Sequence, residues 1–275
     1  MSSSSFPTIA FIGGGNMASA LIGGLRRQGH PAEALVVIEP HAPQRERLAA
    51  EHGLQALAAP SPALAAAQTV VWAVKPQVFA EAAAPCRALV AGALQLSVMA
   101  GIRSETLVAA TGSERVVRAM PNTPALIGQG MAGLYARPAV SAAERAGIEA
   151  LLAPTGQTLW VAQEAQLDAV TALSGSGPAY VFLVLEALIA GGEAVGLSAA
   201  QARSLALQTL AGATALAAQS DEPPAVLRER VTSKGGTTFA ALEVMRAGGL
   251  PETIVRAVQA AAARAEELGR PAAQA

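Results

Sequence analysis

The stretch at residues 9–18, IAFIGGGNMA, places a short apolar run directly before three glycines and the start of a segment with helical spacing. Gly13, Gly15 and Ala18 match the G-x-G-x-x-G/A spacing that opens a dinucleotide-binding βαβ unit. Gly13 permits a tight turn, Gly15 lets the backbone approach a pyrophosphate, and Ala18 lets the helix pack closely on the strand. The stretch therefore predicts a Rossmann-like fold with a dinucleotide site near the N-terminus.

Short β-branched runs alternate with Ala- and Leu-rich segments as far as about residue 161, which is typical of βαβ units feeding a parallel sheet. The pattern predicts eight strands, at residues 9–12, 35–38, 54–57, 69–74, 94–98, 115–119, 131–135 and 157–160. Ser141 with Glu144 predicts a capping box, and Pro76 can open a helix just past the fourth strand. We therefore expect an α/β, doubly wound sheet in an N-terminal domain over residues 1–162.

After residue 163 the strand signals stop, which predicts an all-helical domain over residues 163–275. Ser198 with Gln201 predicts a second capping box, and Asp221 before Pro223 predicts another helix start. The segment 179–195 is apolar nearly all round, which is typical of a helix buried on every side. Exchange of helices with a second copy would bury it better than one small bundle. We therefore expect a homodimer formed through the helical domain.

Bulk composition excludes several classes of protein. Nineteen basic and twenty acidic residues lack the basic surplus typical of nucleic-acid binding, so no nucleic-acid partner is expected. The single cysteine, Cys86, excludes an intrachain disulfide and a multi-cysteine metal site, and fits a reducing compartment. The N-terminal residues lack a secretory signal, and the apolar stretch 181–190 is interrupted by Glu186 and shorter than the ~20 residues that span a bilayer. We expect a cytoplasmic protein without a membrane segment.

The carboxyl ends of the strands face the ligand crevice of a doubly wound sheet and supply further candidates for cofactor contact. Glu39 ends the second strand, where an acidic side chain can bind the ribose hydroxyls, and taken alone it favours NADH. Arg45 and Arg47 follow closely and could serve a 2′-phosphate instead, so the sequence leaves NADH and NADPH both open. The expected cofactor-binding residues are Gly13, Gly14, Gly15, Asn16, Met17, Glu39, Ala73, Val74, Lys75, Pro76 and Ala100.

A second glycine-rich segment, VTSKGGTTFAAL at residues 231–242, also precedes an apolar run with helical spacing. Paired glycines let the backbone approach a ligand, and a helix start supplies unpaired N–H groups and a positive dipole end. The spacing does not match the P-loop pattern G-x-x-x-x-G-K-[ST]. Because the pyrophosphate is assigned to the first loop, a smaller anion is expected here; the alternative is a plain loop with a helix cap.

Five motifs occur in an order that is specific in combination: FIGGGNM at residues 11–17, AVKPQ at 73–77, RAMPNTP at 118–124, TALSGSGPAYVF at 171–182 and VTSKGGTT at 231–238. LSGSGPAY alone would predict a loop entering a helix. With these motifs the chain resembles the pyrroline-5-carboxylate reductase family over essentially its whole length. The resemblance implies a Rossmann domain, a helical domain interlocked with a second subunit, and often larger rings. It also implies hydride transfer from NAD(P)H to the imine carbon of 1-pyrroline-5-carboxylate, giving L-proline.

The resemblance also implies a substrate site, with the backbone amides of Gly236, Thr237 and Thr238 binding the substrate carboxylate. The Thr238 hydroxyl would lie beside the ring nitrogen, which makes Thr238 the expected catalytic residue. Glu164 matches an acidic family position near the substrate, and the alternative is a helix N-terminal carboxylate. The expected substrate-binding residues are Glu164, Ser233, Gly235, Gly236, Thr237 and Thr238.

Hydride transfer to an imine needs placement more than a nucleophile or a metal. No metal is therefore expected, and none of the three histidines, His30, His41 and His52, is expected to be catalytic.

The sequence also departs from the family pattern. Lys234 stands where many relatives carry Pro, and some relatives carry Ser or Asn-Arg near the position of Glu39, so NADPH preference does not carry over. Relatives often place Asn near Pro60 or Ser61, and here that contact is either missing or made by the Ser61 hydroxyl.

Two other functions compete with this one. Another small Rossmann imine or β-hydroxyacid reductase is the nearest, but the β-hydroxyacid enzymes use a helix lysine, whereas Lys234 is the only lysine in the second half and lies in the glycine loop. A non-catalytic NAD(P)-binding redox sensor should lack the second ligand loop. The sequence leaves open the oligomer size, feedback by proline, the proton donor and the subunit that supplies each part of the site.

Overall fold

The computed structural model describes residues 6–270, which divide into two compact units. Residues 6–176 and 261–270 form the first unit, and residues 177–260 form the second. These compact units differ from the predicted functional domains, residues 1–162 and 163–275. Packing within the chain does not test a functional boundary, so the boundary between residues 162 and 163 stays a prediction.

The first unit is built on one seven-stranded sheet in the order β2-β1-β3-β4-β5-β6-β7. Neighbouring strands are parallel except β5 and β6, which are antiparallel. The strands are β1 Ile9–Ile12, β2 Leu35–Ile38, β3 Thr69–Trp72, β4 Leu94–Ser97, β5 Val116–Met120, β6 Gly130–Ala136 and β7 Gly156–Trp160. Seven of the eight predicted strands are therefore present, with small shifts at their ends.

The predicted strand at residues 54–57 is wrong. Only Leu57 pairs with β2, through an isolated bridge to Ile38. Leu54 instead packs in the core, 2% exposed, directly after a left-handed glycine, Gly53, with φ +68°. Pro60 follows three residues after Leu57 and ends the extended run before a ladder can form.

Helices cover both faces of the sheet. They are α1 Asn16–Arg27, α2 Ala42–His52, α3 Phe79–Ala83, α4 Arg87–Val90, α5 Ser104–Thr111, α6 Ala142–Leu152 and α7 Gln166–Val170. Alternate residues of β1 serve opposite cores: Phe11 packs with α1, α2 and α6, whereas Ile12 packs with α3, α4 and α5. This arrangement confirms the predicted doubly wound α/β fold.

Two predicted helix starts in the first unit are confirmed. Ser141 and Glu144 form the capping box at the start of α6. Pro76 opens a 3₁₀ turn, Pro76–Val78, which leads directly into α3.

The second unit is helical, as predicted. It contains α8 Gly177–Ala194, α9 Ala199–Ala218, α10 Pro224–Arg230 and α11 Thr237–Ala247, and most of α12 Leu250–Gly269. The capping box of Ser198 and Gln201 at α9 is confirmed. The helix start predicted around Asp221 and Pro223 is present: α10 begins at Pro224 with Pro223 as its N-cap, and Asp221 supplies no side-chain cap.

A π-helical turn, Thr171–Gly175, occupies the segment for which a loop is predicted, and the Ser176 N–H donates to the Thr171 carbonyl at 2.8 Å. With it, α7 and α8 make one helix, Gln166–Ala194, of 29 residues, long and apolar enough by length and composition to cross a membrane. The expected absence of a membrane segment therefore stays a prediction, which counted the run 181–190 alone. One such helix is weak evidence for a membrane span, since helices that pack in oligomer interfaces pass the same test.

The prediction that the apolar segment 179–195 is buried on every side is wrong for a single chain. No residue of α8 is buried, and Phe182 and Leu183 are 58% and 67% exposed. Further large apolar side chains of the second unit are exposed, including Val195, Leu216 and Val244. A surface of this kind is typical of an interface with another protein chain.

Candidate functional site

The glycine-rich turn after β1 lies at the carboxyl ends of β1, β2 and β3. Gly13 has φ +97°, and its N–H donates to the Ile38 carbonyl at 2.9 Å. A Cβ atom on Gly13 would lie 2.7 Å from the carbonyl oxygen of Ala73. Only glycine therefore fits this tight turn, for conformational and steric reasons together.

Gly14 and Gly15 carry the turn into α1. The Gly14 N–H donates to Oε2 of Glu39 at 2.8 Å, and the Gly14 carbonyl accepts from the side-chain amide of Gln44. Gly15 is the N-cap of α1, with no side-chain cap and no atom within 4 Å of a Cβ placed on it. Asn16 and Met17 begin the helix behind this open space. An uncapped helix start beside bare backbone fits the pyrophosphate of a dinucleotide.

A cavity of about 350 Å³ adjoins the turn. Two predicted residues, Gly13 and Val74, lie in its wall. The rest of the wall lies outside the predicted cofactor residues and is mostly apolar: Ile12, Ile38, Pro40, His41, Ala58, Ala59, Pro60, Val78, Glu81, Ala82 and Pro85. An apolar slot at this edge of the sheet fits an adenosine group.

The larger cavity of the first unit, about 510 Å³, is in a different place. His30, Thr69 and Arg115 in its wall lie near the amino ends of the strands. Ligands of doubly wound sheets bind at the carboxyl ends. The smaller cavity is therefore the better candidate for the cofactor.

Glu39 is buried at the end of β2, 6% exposed. Its second oxygen, Oε1, accepts the N–H of His41 at 2.9 Å. Arg45 donates to the backbone carbonyls of Glu39 and Pro40 at 2.9 and 2.6 Å, and Arg47 donates to Oδ1 of Asn16 at 3.3 Å.

The remaining predicted cofactor residues follow β3 and β4. The Ala73 N–H donates to the Ile12 carbonyl at 2.9 Å, which ties the end of β3 to that of β1. Lys75 is the N-cap of the 3₁₀ turn that Pro76 begins. Ala100 is exposed in the turn after β4, which places it at the same edge of the sheet.

Glu164 lies between β7 and α7 and bridges two other elements. Its oxygens accept the N–H and the hydroxyl of Ser104 at the start of α5, both at 2.6 Å, and Nη1 of Arg118 in β5 at 2.8 Å. Burial raises the pKa of Glu164, but the hydrogen bonds from Ser104 and the Arg118 guanidinium outweigh it, so the net pKa lies below its ordinary value. The carboxylate therefore caps α5 from outside the helix.

Reasoning from the sequence missed Ser104 and Arg118 as the partners of Glu164. The signal for Arg118 is its place in the apolar strand VVRAM, because an arginine buried there requires an acidic partner. Burial lowers the pKa of Arg118 even though the Glu164 carboxylate partly offsets the effect. The substrate contact of Glu164 stays a prediction.

The motifs RAMPNTP and TALSGSGPAYVF are in contact through Asn122 and Ser174. The side-chain amide of Asn122 donates to the carbonyl and the hydroxyl of Ser174 in the π turn, at 3.3 and 3.2 Å. Its oxygen accepts the Met131 N–H at 3.0 Å. Asn122 therefore fixes the π turn near the carboxyl end of β5, a role that the sequence did not indicate.

The second glycine-rich loop precedes α11 in the second unit. Gly235 has φ +74°, and Gly236 is the N-cap, with its N–H donated to the Ser233 carbonyl at 3.0 Å. Thr237 and Thr238 are the first two residues of the helix, where N–H groups have no intrahelical acceptor. The Gly236 N–H thus has an internal acceptor, whereas the N–H groups of Thr237 and Thr238 form part of the positive end of the helix dipole. This start fits a small anion such as a carboxylate.

The histidines and the acidic residues form no metal site within residues 6–270. Burial lowers the pKa values of His30 and His52. Nε2 of His52 lies 2.7 Å from the Ser19 hydroxyl, between α1 and α2.

Two family models match the chain in succession. One described as "NADP oxidoreductase coenzyme F420-dependent" matches residues 8–101, and one described as "Pyrroline-5-carboxylate reductase dimerisation" matches residues 164–268. Among curated proteins, the pyrroline-5-carboxylate reductase of Pseudomonas aeruginosa is 48% identical over 268 residues, covering 96% of this chain and 97% of that protein. The enzyme of the same name from Haemophilus influenzae is 43% identical, covering 94% and 97%.

Solved structures agree with these sequence matches. A pyrroline-5-carboxylate reductase from Coxiella burnetii aligns with a TM-score of 0.90 at 33% identity, covering 97% of this chain and all of that one. A Plasmodium falciparum pyrroline carboxylate reductase with NADP bound aligns with a TM-score of 0.85 at 28% identity, covering 96% and 98%.

Proposed function

Since the chain belongs to the pyrroline-5-carboxylate reductase family, we propose that it catalyses the NAD(P)H-dependent reduction of 1-pyrroline-5-carboxylate to L-proline, the last step of proline biosynthesis. The observation that carries the proposal is the presence of two uncapped, glycine-led helix starts, at α1 and at α11. One suits a pyrophosphate and the other a carboxylate, and the reaction requires both groups to be held. A redox sensor needs only the first.

The residues of the cofactor site would bind the dinucleotide and orient it. The bare backbone at Gly15 and the start of α1 would hold the pyrophosphate, and the apolar cavity beside Gly13 would hold the adenosine. Lys75 and Ala100 follow the carboxyl ends of β3 and β4 and so lie at the same edge of the sheet. When bound, the reduced nicotinamide supplies the hydride.

The residues of the substrate loop hold the other reactant. The N–H groups of Thr237 and Thr238 would bind the carboxylate of pyrroline carboxylate, with Ser233 and Gly235 shaping the turn. A protonated imine is already electrophilic, so the remaining requirement is orientation. The Thr238 hydroxyl would orient the ring nitrogen and relay its proton, which makes Thr238 the proposed catalytic residue.

The assembly that we propose is a homodimer through the helical domain. The exposed apolar side chains of α8 support it, because a second copy would remove them from water. Assembly of dimers into larger rings belongs to the same proposal. So do a cytoplasmic location and the absence of nucleic-acid and membrane partners. The dimer interface would cover the long apolar helix that by composition alone passes for a membrane span.

A direct assay tests the function. The purified protein is mixed with pyrroline-5-carboxylate and either NADH or NADPH, and the absorbance of the reduced nicotinamide and the formation of proline are followed together. We expect loss of absorbance matched by proline formation with at least one cofactor. A matched reaction with an open-chain β-hydroxyacid and oxidised cofactor should show no increase in the absorbance of reduced nicotinamide. Activity there alone would favour the β-hydroxyacid reductase alternative, and binding without turnover would favour the sensor.

A further inference from the structure

We infer that Glu39 makes this chain select NADH over NADPH. The inference deepens the proposed function, but it rests only on dinucleotide binding and not on the imine substrate.

The position of Glu39 places its charge beside the ribose. Its neighbours Ile38, Pro40 and His41 line the cavity next to the glycine turn, and its side chain reaches back to Gly14. In this fold the adenosine ribose lies between that cavity and the pyrophosphate, at the end of the second strand. A 2′-phosphate would therefore have to occupy the space next to the carboxylate.

The carboxylate of Glu39 is fixed and cannot turn away from a ligand. Both of its oxygens accept backbone N–H groups, from Gly14 at 2.8 Å and from His41 at 2.9 Å, and the residue is 6% exposed. Each oxygen keeps a second lone pair for a donor such as a ribose hydroxyl. A 2′-phosphate offers no such donor at neutral pH and brings nearly two further negative charges, so it is repelled where the ribose hydroxyls of NADH are bound.

The cations that could offset this repulsion already have acceptors. Arg45 donates through Nη1 to the carbonyls of Glu39 and Pro40. Arg47 donates through both terminal nitrogens to Oδ1 of Asn16, and its Nε lies 3.9 Å from the Glu51 carboxylate. These contacts use only part of each guanidinium group, and a phosphate bound to the remaining N–H groups of Arg45 would still lie beside the fixed Glu39 carboxylate.

The start of α2 adds little for a phosphate. Pro43, the second residue of the helix, has no N–H, and the N–H of Gln44 donates to the His41 carbonyl at 3.1 Å. The N–H of His41 is already given to Glu39. Most N–H groups at the start of α2 are therefore absent or already bound to protein acceptors, which leaves few of them to bind a phosphate.

The test is a binding titration of NADH and NADPH to the full-length protein without substrate, by calorimetry or by quenching of tryptophan fluorescence. We expect the wild type to bind NADH on the order of tenfold tighter than NADPH, the scale of one like-charge contact at a partly screened site. Glu39→Gln keeps the size and removes the charge, so NADPH should bind about tenfold tighter than to the wild type while NADH weakens by a few-fold. Glu46→Gln on α2 is the matched control: it removes the same charge from an exposed residue, and the ratio should not change.

Three results would overturn the inference: equal affinities of the wild type for both cofactors, an unchanged ratio in Glu39→Gln, or an equal loss of both affinities in that variant. The last would mean that Glu39 only holds the glycine turn. The wild-type ratio decides the matter even if the variant does not fold. Tight but unselective binding would defeat the inference alone, whereas binding of neither cofactor would defeat the proposed function.

Discussion

The two glycine-rich helix starts differ in what holds them. The turn before α1 is fixed by residues distant in the sequence: Glu39 and Gln44, 25 and 30 residues away from Gly14, bind its N–H and its carbonyl. The turn before α11 is held by its own neighbour, through the bond from Gly236 to Ser233. Gly13 and Gly14 are buried, whereas Gly235 is exposed.

This difference teaches that a similar local sequence can serve two kinds of site. The first turn is preorganised by the completed fold of the first unit, which suits a large cofactor with several groups to be aligned. The second turn is a local structure that its own residues specify, which suits a small anion bound by two or three N–H groups.

Alanine at one glycine of each turn gives the largest expected contrast. Gly13→Ala would place a Cβ 2.7 Å from the Ala73 carbonyl at φ +97°, so we expect cofactor affinity to fall by about 100-fold and stability by roughly 2–4 kcal/mol. Gly235→Ala also has a positive φ, +74°, but meets no atom within 4 Å, so only the conformational cost of about 1–2 kcal/mol applies. Calorimetric titration and urea unfolding measure both effects. Equal losses of stability would show that the two turns are not held differently.

The second test concerns the hydroxyl at the back turn. Thr238→Ala keeps the backbone N–H groups of α11 and removes the proposed orienting group, so we expect kcat to fall by roughly 10- to 100-fold with little change in stability. Thr237→Ala is the matched control, because its neighbouring hydroxyl is removed while the same N–H groups remain. Steady-state kinetics with pyrroline carboxylate separate the two variants. Equal rates for Thr238→Ala and the wild type would remove Thr238 from the mechanism.

The contrast also explains what the sequence could predict. Periodicity located seven strands and two capping boxes, because these depend on residues a few positions apart. It failed at 54–57, where burial of Leu54 and a following proline prevent pairing, and at 173–180, where a π turn that ends at Gly175 leads into α8 in place of the predicted loop. The burial that it predicted for α8 is not provided by the single chain, in keeping with the expectation that a second copy would bury this helix better.

The candidate site divides in the same way. The fingerprint glycines were located from their spacing, because the turn itself requires them. The bonds of Glu39 to Gly14, of Asn122 to Ser174, and of Glu164 to Ser104 join residues 25, 52 and 60 positions apart, and no local pattern encodes such distances. A fourth long-range contact, between Arg118 of β5 and Glu164, has a signal in the sequence: an arginine in an apolar strand requires an acidic partner, but the sequence does not identify that partner.

The third and smallest effect tests whether long-range polar contacts stabilise the first unit. Glu164→Gln removes the charge that Arg118 and the start of α5 share, so we expect the free energy of unfolding to fall by roughly 1–3 kcal/mol at pH 7. This loss is smaller than for a fully buried pair because the carboxylate is partly exposed. The pKa of Glu164 is lowered by folding, so its contribution is present above the unfolded value of about 4.3 and is lost as the pH falls through the folded pKa. Urea unfolding of both proteins should therefore show curves that converge as the medium is acidified below pH 4. Glu114→Gln, which breaks the more exposed pair with Arg137, should cost less at pH 7. If Glu164→Gln and the wild type still differ in unfolding free energy at low pH, the loss is due to packing and not to charge. If stability is unchanged but the KM for pyrroline carboxylate rises, the result favours the predicted substrate contact of Glu164.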